Sequence, residues 1–179
     1  QYFFVGAFEA GIVSIVLLVK KLINFVSGPT SKIFLPEFSR LYQAGDKKKL
    51  ASSFSMIMRI QMLFVGPLSI VLIGYPQVIL KFLAKEMLTQ TGLFIGCSFV
   101  FLFAATLGPC GGLMQMTDHE KADNVFREVA IFLMLLVFAG MHRNPLFALY
   151  GLCIQTFAES FSKFVFVCRW FGYIPVKIR

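Results

Sequence analysis

The feature that most constrains this chain is a recurrence: mainly apolar runs of about 17 residues or more follow one another along it. A soluble domain alternates apolar and polar positions, because only one face of each element meets a core. Runs that are apolar on every side need an apolar solvent, and a bilayer offers about 30 Å of it. The composition agrees, since 58% hydrophobic residues, 15% charged residues and a mean hydropathy of +0.77 are too apolar for a water-soluble chain of 179 residues. The reading is an all-α integral membrane protein, a single helical domain over residues 1–179. It has about five spans, near 5–26, 56–73, 88–108, 125–141 and 145–167.

The loops test that count. Arg40, Lys47, Lys48, Lys49, Lys121, Arg127, Arg169, Lys177 and Arg179 fall on one side, and only Lys81, Lys85 and Arg143 fall on the other. Cytoplasmic loops collect Lys and Arg, so the carboxy terminus is expected in the cytoplasm of a plasma (inner) membrane protein. The formal charge of +8 is thus a topology signal, and no nucleic-acid partner is expected. Cys97, Cys110, Cys153 and Cys168 lie in or beside apolar runs without a CxxC pair, which reads as structural cysteine. The chain opens on Gln1 and enters an apolar run at once, with no basic leader, as a fragment of a longer protein would.

Each span carries its own punctuation. The first helix is expected to continue as a stalk toward Pro36, bent or broken at Gly28 and Pro29; about 36 residues of helix measure near 54 Å, more than a bilayer core. Ala44, Gly45 and Asp46 then supply a turn, and Lys47 to Lys49 open a short amphipathic helix. Gly66 and Pro67 predict a kink within the second span, and Tyr75 with Pro76 its stop. The stretch QVILKFLAKEML sets Val78, Ile79, Phe82 and Leu83 against Lys81, Lys85 and Glu86, the pattern of a helix lying at the interface. Gly108, Pro109, Gly111 and Gly112 loosen the end of the third span. The polar TDHEKADN separates it from the fourth, and Trp170 and Tyr173 after the fifth suit the headgroup belt.

Polar residues inside spans point to function. At 100° per residue Glu9, Lys20, Asn24, Ser27 and Ser31 share one arc of the first helix, with Ser14, Lys21, Gly28 and Lys32 beside them. Two central lysines cost about 5–7 kcal/mol on insertion, which the helix's apolar residues can offset. Either Lys20 and Lys21 line an aqueous cleft that attracts a phosphate-bearing substrate, together with Asn24, or the helix enters obliquely and both snorkel. In the fifth span Glu159 and Lys163 stand in the favourable i, i+4 order for an ion pair. That pair either staples the helix to its neighbours or belongs to a coupling site. His119 and His142 fall on opposite sides of the membrane, so no shared metal or catalytic pair is expected. No nucleophile, phosphate-loop or paired-carboxylate motif appears, and neither an enzyme nor a cofactor is expected.

At FLPEFSRLYQAGDKKKL, GPLSIVLIGYPQVILKFL and GPCGGLMQMTDHEK the chain resembles the polysaccharide-biosynthesis branch of the multidrug, oligosaccharidyl-lipid and polysaccharide exporter superfamily, closest to O-antigen-type flippases. There a long helix ends in a Pro, acidic or small, Phe or Ile, Ser pattern and a Gly-Asp turn, matched by Pro36, Glu37, Phe38, Ser39, Gly45 and Asp46. A second signature matches at Gly108, Pro109, Met116, Thr117, His119 and Glu120, with Gln115 and Asp118 where the family has Asn and Gly. The terminal FGYIPV is similar as well. The resemblance implies most of the second bundle of a two-bundle transporter, whose amino-terminal bundle is missing from this chain. It also implies alternating access, with a cationic cavity holding the diphosphate of a polyprenyl-linked sugar. The glycine and proline pairs at 28–29, 66–67 and 108–109 would then serve as bends. Three alternatives remain: a cation-coupled multidrug exporter of the same superfamily, a membrane-bound transferase on lipid-linked sugars, or an inactive truncated remnant.

Overall fold

The computed structural model describes the backbone of residues 2–83, 85–140 and 146–172, and their side chains except at 2–10, 26, 31, 85–87, 140 and 146–148. The features expected of His142, Arg143, Tyr173, Lys177 and Arg179, of the side chains of Glu9, Ser31, Lys85 and Glu86, and of the span ends at Met141 and Pro145 lie outside those residues. The described chain is helical, with no strand: α1 (Tyr2–Gln43), α2 (Lys47–Gly74), α3 (Pro76–Leu83), a 3-10 turn (Lys85–Gln90), α4 (Thr91–Thr106), α5 (Pro109–Met116), α6 (Glu120–Gly140) and α7 (Leu146–Phe171).

The first helix is longer and less interrupted than expected. Its 42 residues run unbroken through Gly28, Pro29 and Pro36, although each proline frees the carbonyl one turn back. Packing against α2, α4, α5 and α7 along its length holds it. Gly45, at φ +69, ends it: the Asp46 N–H returns to Leu41 O at 3.2 Å and the Gly45 N–H to Tyr42 O at 3.0 Å. Asp46 at once caps α2, its Oδ1 accepting from Lys49 N–H at 3.1 Å.

The expected short amphipathic helix and second span are one helix. Nothing breaks the segment after Asp46, and Leu50, Ala51, Phe54, Ile57 and Met58 bury one continuous face. Gly66 and Pro67 lie inside it without ending it, whereas Tyr75 and Pro76 do stop it. In α3, Leu80 is the residue that turns fully inward, and Val78 and Phe82 face outward. The third span is where a real break occurs. Leu107 N–H closes on Ala104 O, Gly108 N–H on Ala105 O and Cys110 N–H on Leu107 O, and Pro109 then starts α5, where its missing N–H costs nothing. TDHEKADN is only half a loop, since Glu120 to Asn124 already belong to α6.

Large apolar side chains face outward as well as inward, and a few polar groups are buried. Asp123, Lys163 and Gln61 are buried, while Phe25, Ile33 and Leu63 are more than 70% exposed. Among the described residues three stretches, Gly11–Thr30, Lys47–Gly74 and Leu88–Met116, are long and apolar enough to cross a membrane. The expected fourth and fifth spans are helices, but they are not among those three. Charges at Glu120, Lys121, Asp123, Arg127 and Glu128 leave α6 only about 18 Å of uncharged described helix, and Glu159, Lys163 and Arg169 interrupt α7.

Two apolar clusters divide the bundle. One joins Ile12, Val16, Val19 and Ile23 of α1 to Leu72, Phe94, Phe101 and Leu149. The other joins Phe38 and Leu41 to Leu50, Phe54, Leu113, Met114 and Val167. At this second end the α1–α2 turn, the α5–α6 turn and the end of α7 converge: the Trp170 ring lies 6.2 Å from Tyr42 and 5.0 Å from His119, and Lys47 Nζ lies 6.0 Å from it. Arg40, Lys47, Lys48, Lys49, Lys121 and Arg169 therefore belong to turns and helix ends that meet at one end of the bundle.

Candidate functional site

Between the two clusters lies a polar cleft of about 330 Å³, walled by α1, α4 and α7 and floored by the α4–α5 break. Helical spacing builds each wall. Lys20, Asn24 and Ser27 stand at i, i+4 and i+7 on α1, and Gln155, Thr156, Glu159, Ser160 and Lys163 form the facing stripe of α7. Phe101, Ala104 and Ala105 supply the α4 wall, with Gly108 and Gly111 below. A Cβ on Gly111 would sit 3.6 Å from Lys163 Nζ, so a side chain there would fill the cleft beside the charge.

Lys20 spans the cleft. Its Nζ donates to Thr156 Oγ1 at 3.3 Å and lies 5.3 Å from the centre of the Phe101 ring. Thr156 in turn donates to Leu152 O at 2.7 Å. Among the described residues no carboxylate lies within 4.0 Å of Lys20. Lys21, one residue and about 100° further round, is exposed and lines no part of the cleft. Behind α1, Gln61 Nε2 donates to Ser27 O at 3.3 Å, tying α2 to the same level.

The pair expected between Glu159 and Lys163 is present, with Nζ 2.6 Å from Oε1, but it is one edge of a larger network. Lys163 Nζ also lies 2.7 Å from Oδ1 of the fully buried Asp123, an ion contact without hydrogen-bond angles. Arg127 reaches Asp123 Oδ2 at 3.1 Å and Glu159 Oε1 at 3.8 Å, and Gln115 Nε2 donates to Asp123 Oδ2 at 3.2 Å. Two cations thus meet two carboxylates, which leaves Lys20 as the excess charge of the cleft among the described residues.

Sequence reasoning missed Asp123, Arg127 and Gln115 by assigning the first two to a loop and a loop edge. The i, i+4 order of Asp123 and Arg127 was the available signal. The three expected bends lie in different settings. Gly28 with Pro29 and Gly66 with Pro67 lie within unbroken helices, and Gly108 with Pro109 form the break at the floor of the cleft. Asp118, which stands where the resembled signature has Gly, takes a left-handed φ of 59° at the end of α5, a conformation glycine adopts without strain. His119 is fixed beside it, its Nδ1 bonded to Thr117 O and its ring against Phe166 and Trp170. Among the described residues no cluster of His, Cys, Asp or Glu could hold a metal ion.

No family model matches the chain, and neither does any curated protein or solved structure.

Proposed function

We propose that the chain is one bundle of a membrane transporter that moves a lipid-linked oligosaccharide across the plasma membrane by alternating access, with the cleft as its binding site. The observation that carries the reading is Lys20. A cation held midway along an apolar helix, bonded to a hydroxyl and a ring but to no carboxylate, supplies uncompensated positive charge inside a cleft. Its size and charge suit the diphosphate of a polyprenyl carrier, while the sugars need more room than one bundle provides. The missing amino-terminal bundle forms the opposite wall. In this reading α6 and α7 cross the bilayer beside the three apolar stretches, their charges satisfied within the bundle. The basic end faces the cytoplasm, with the carboxy terminus on that side.

The exporter alternative draws on a different observation, that Glu159 lines the cleft and could bind a cation. Its neutralisation by Lys163 and Arg127 favours the anionic substrate.

The test is translocation of a polyprenyl-diphosphate sugar in proteoliposomes containing the full native protein. Lys20→Ala is expected to lower the rate at least tenfold with insertion unchanged, and Lys21→Ala to leave it near wild type. Wild-type translocation by Lys20→Ala would reject the site. Loss of cation-driven drug export in Glu159→Gln, with sugar flipping absent throughout, would establish the exporter instead.

A further inference from the structure

The short helix after α2 takes no part in the cleft. Tyr75 both closes α2 and opens α3: its N–H returns to Val71 O at 3.2 Å, and its carbonyl accepts from the Val78 and Ile79 N–H groups at 3.2 and 3.3 Å. No loop separates the two helices, and α3 packs back on α2 and on α4. Leu80 fixes it there, fully buried in the cluster that holds Leu72 and Phe94, at the end of the bundle away from the basic turns.

The rest of the α3 surface is divided. Tyr75, Val78 and Phe82 repeat at three and four residues and are 62%, 53% and 89% exposed, and Phe82 is the barest large apolar side chain among the described residues. Gln77, about 140° round the helix from Phe82, is exposed on a polar flank with Lys81. On α2, Ile70 and Val71 are at least half exposed and carry the apolar face up to Tyr75, and residues 60–80 hold no charge.

Placement identifies what covers this face. The helix lies between two stretches long and apolar enough to span a membrane, Lys47–Gly74 and Leu88–Met116, so both reach the same bilayer surface there. Eight residues of helix measure about 12 Å, too short to cross. An apolar face that runs from the lipid side of a span, past a tyrosine, onto a short helix with a polar flank fits the boundary between headgroups and acyl chains. A protein partner would have to share that face with the lipid beside Ile70 and Val71.

We infer that α3 is an interfacial anchor whose partner is the lipid surface itself. Val78 and Phe82 enter the upper acyl region, Tyr75 sits among the headgroups, and Gln77 and Lys81 turn toward water. The anchor holds the connection between the two spans at the bilayer surface. This rests on α2 being a membrane span and is independent of what the cleft transports.

The experiment places one tryptophan at a time in the full protein, with the chain's one native tryptophan removed by Trp170→Phe, in vesicles of lipids brominated either high on the acyl chains or near their ends. Phe82→Trp is expected to lose most of its emission to the high bromines, because an interfacial helix buries its apolar face about 5–10 Å. Gln77→Trp should be quenched by aqueous iodide instead. Leu63→Trp, about 18 Å along α2 from Tyr75, checks the span and should be quenched best by bromines near the chain ends. If Trp170→Phe fails to fold, difference spectra against the wild type give the same readout. Iodide quenching of Phe82→Trp would put α3 in water, and protection from both quenchers would put it against protein. Either result, or equal bromine quenching at positions 77 and 82, overturns the anchor while a bromine-quenched Leu63→Trp leaves the span standing. Leu63→Trp quenched by iodide alone would overturn both.

Discussion

Among the residues, what matters most is where charge is paired. Lys163 is the buried cation between Asp123 and Glu159, so Lys163→Met would leave Asp123 Oδ1 buried without its cation and only the half-exposed Arg127 to offset the charge. Breaking one side of such a pair costs about 3–5 kcal/mol, whereas Arg127→Met, with its side chain half in the surroundings, is expected to cost about 1 kcal/mol or less. Denaturation of the two variants in the same detergent measures the difference. Asp46 behaves as a surface analogue outside the spans. The Lys49 backbone N–H, then the Lys49 side chain, hold its carboxyl below the usual value of 3.8. A folded-state pKa below the unfolded one gives stability that is complete above about pH 3.8 and lost as pH falls through the lowered value. Asp46→Ala should therefore flatten the acid limb of a pH-dependent melt, and an unchanged limb would show that the cap contributes nothing.

The elements show how far a sequence of this kind can be read. All-helical architecture, the Gly45–Asp46 turn, the stop at Tyr75–Pro76 and the break at Gly108–Pro109 are legible, because each rests on local backbone chemistry. Lys20 and Asn24 are legible as cleft residues because they share a helix face with Ser27. Continuity through Pro29 and on past Pro36 is not, since proline's local penalty is overridden by packing with neighbours that the chain reaches much later. Asp123 is hidden for the same reason: TDHEKADN is polar in composition, and only the approach of α7 buries it. The α4–α7 contact that completes the cleft has its own check. Cys97 and Cys153 bring their sulfurs to 3.3 Å, one turn or less from Phe101 and Thr156. Iodine should oxidise them to a disulfide, each thiol giving up its hydrogen as the iodine is reduced to iodide, and peptide mapping should find this pair joined. Free thiols at both after oxidation would mean that α4 and α7 do not meet there.

For the whole molecule, the arrangement is a bundle with apolar residues outward, two apolar clusters inside and a charged layer between them. Two basic turns and the end of α7 converge at one end, as an odd number of crossings in this order requires. In the proposed transporter Lys20 faces water within the membrane and Lys21 does not. The most direct measurement places single cysteines, Lys20→Cys and Lys21→Cys, in an otherwise cysteine-free full-length protein in sealed vesicles and follows labelling by a charged, membrane-impermeant thiol reagent. The account expects Lys20→Cys to be labelled and to be shielded by a polyprenyl diphosphate, with Lys21→Cys inert toward the reagent in lipid. Labelling of Lys21→Cys with Lys20→Cys inert, or labelling of both without shielding, would contradict it.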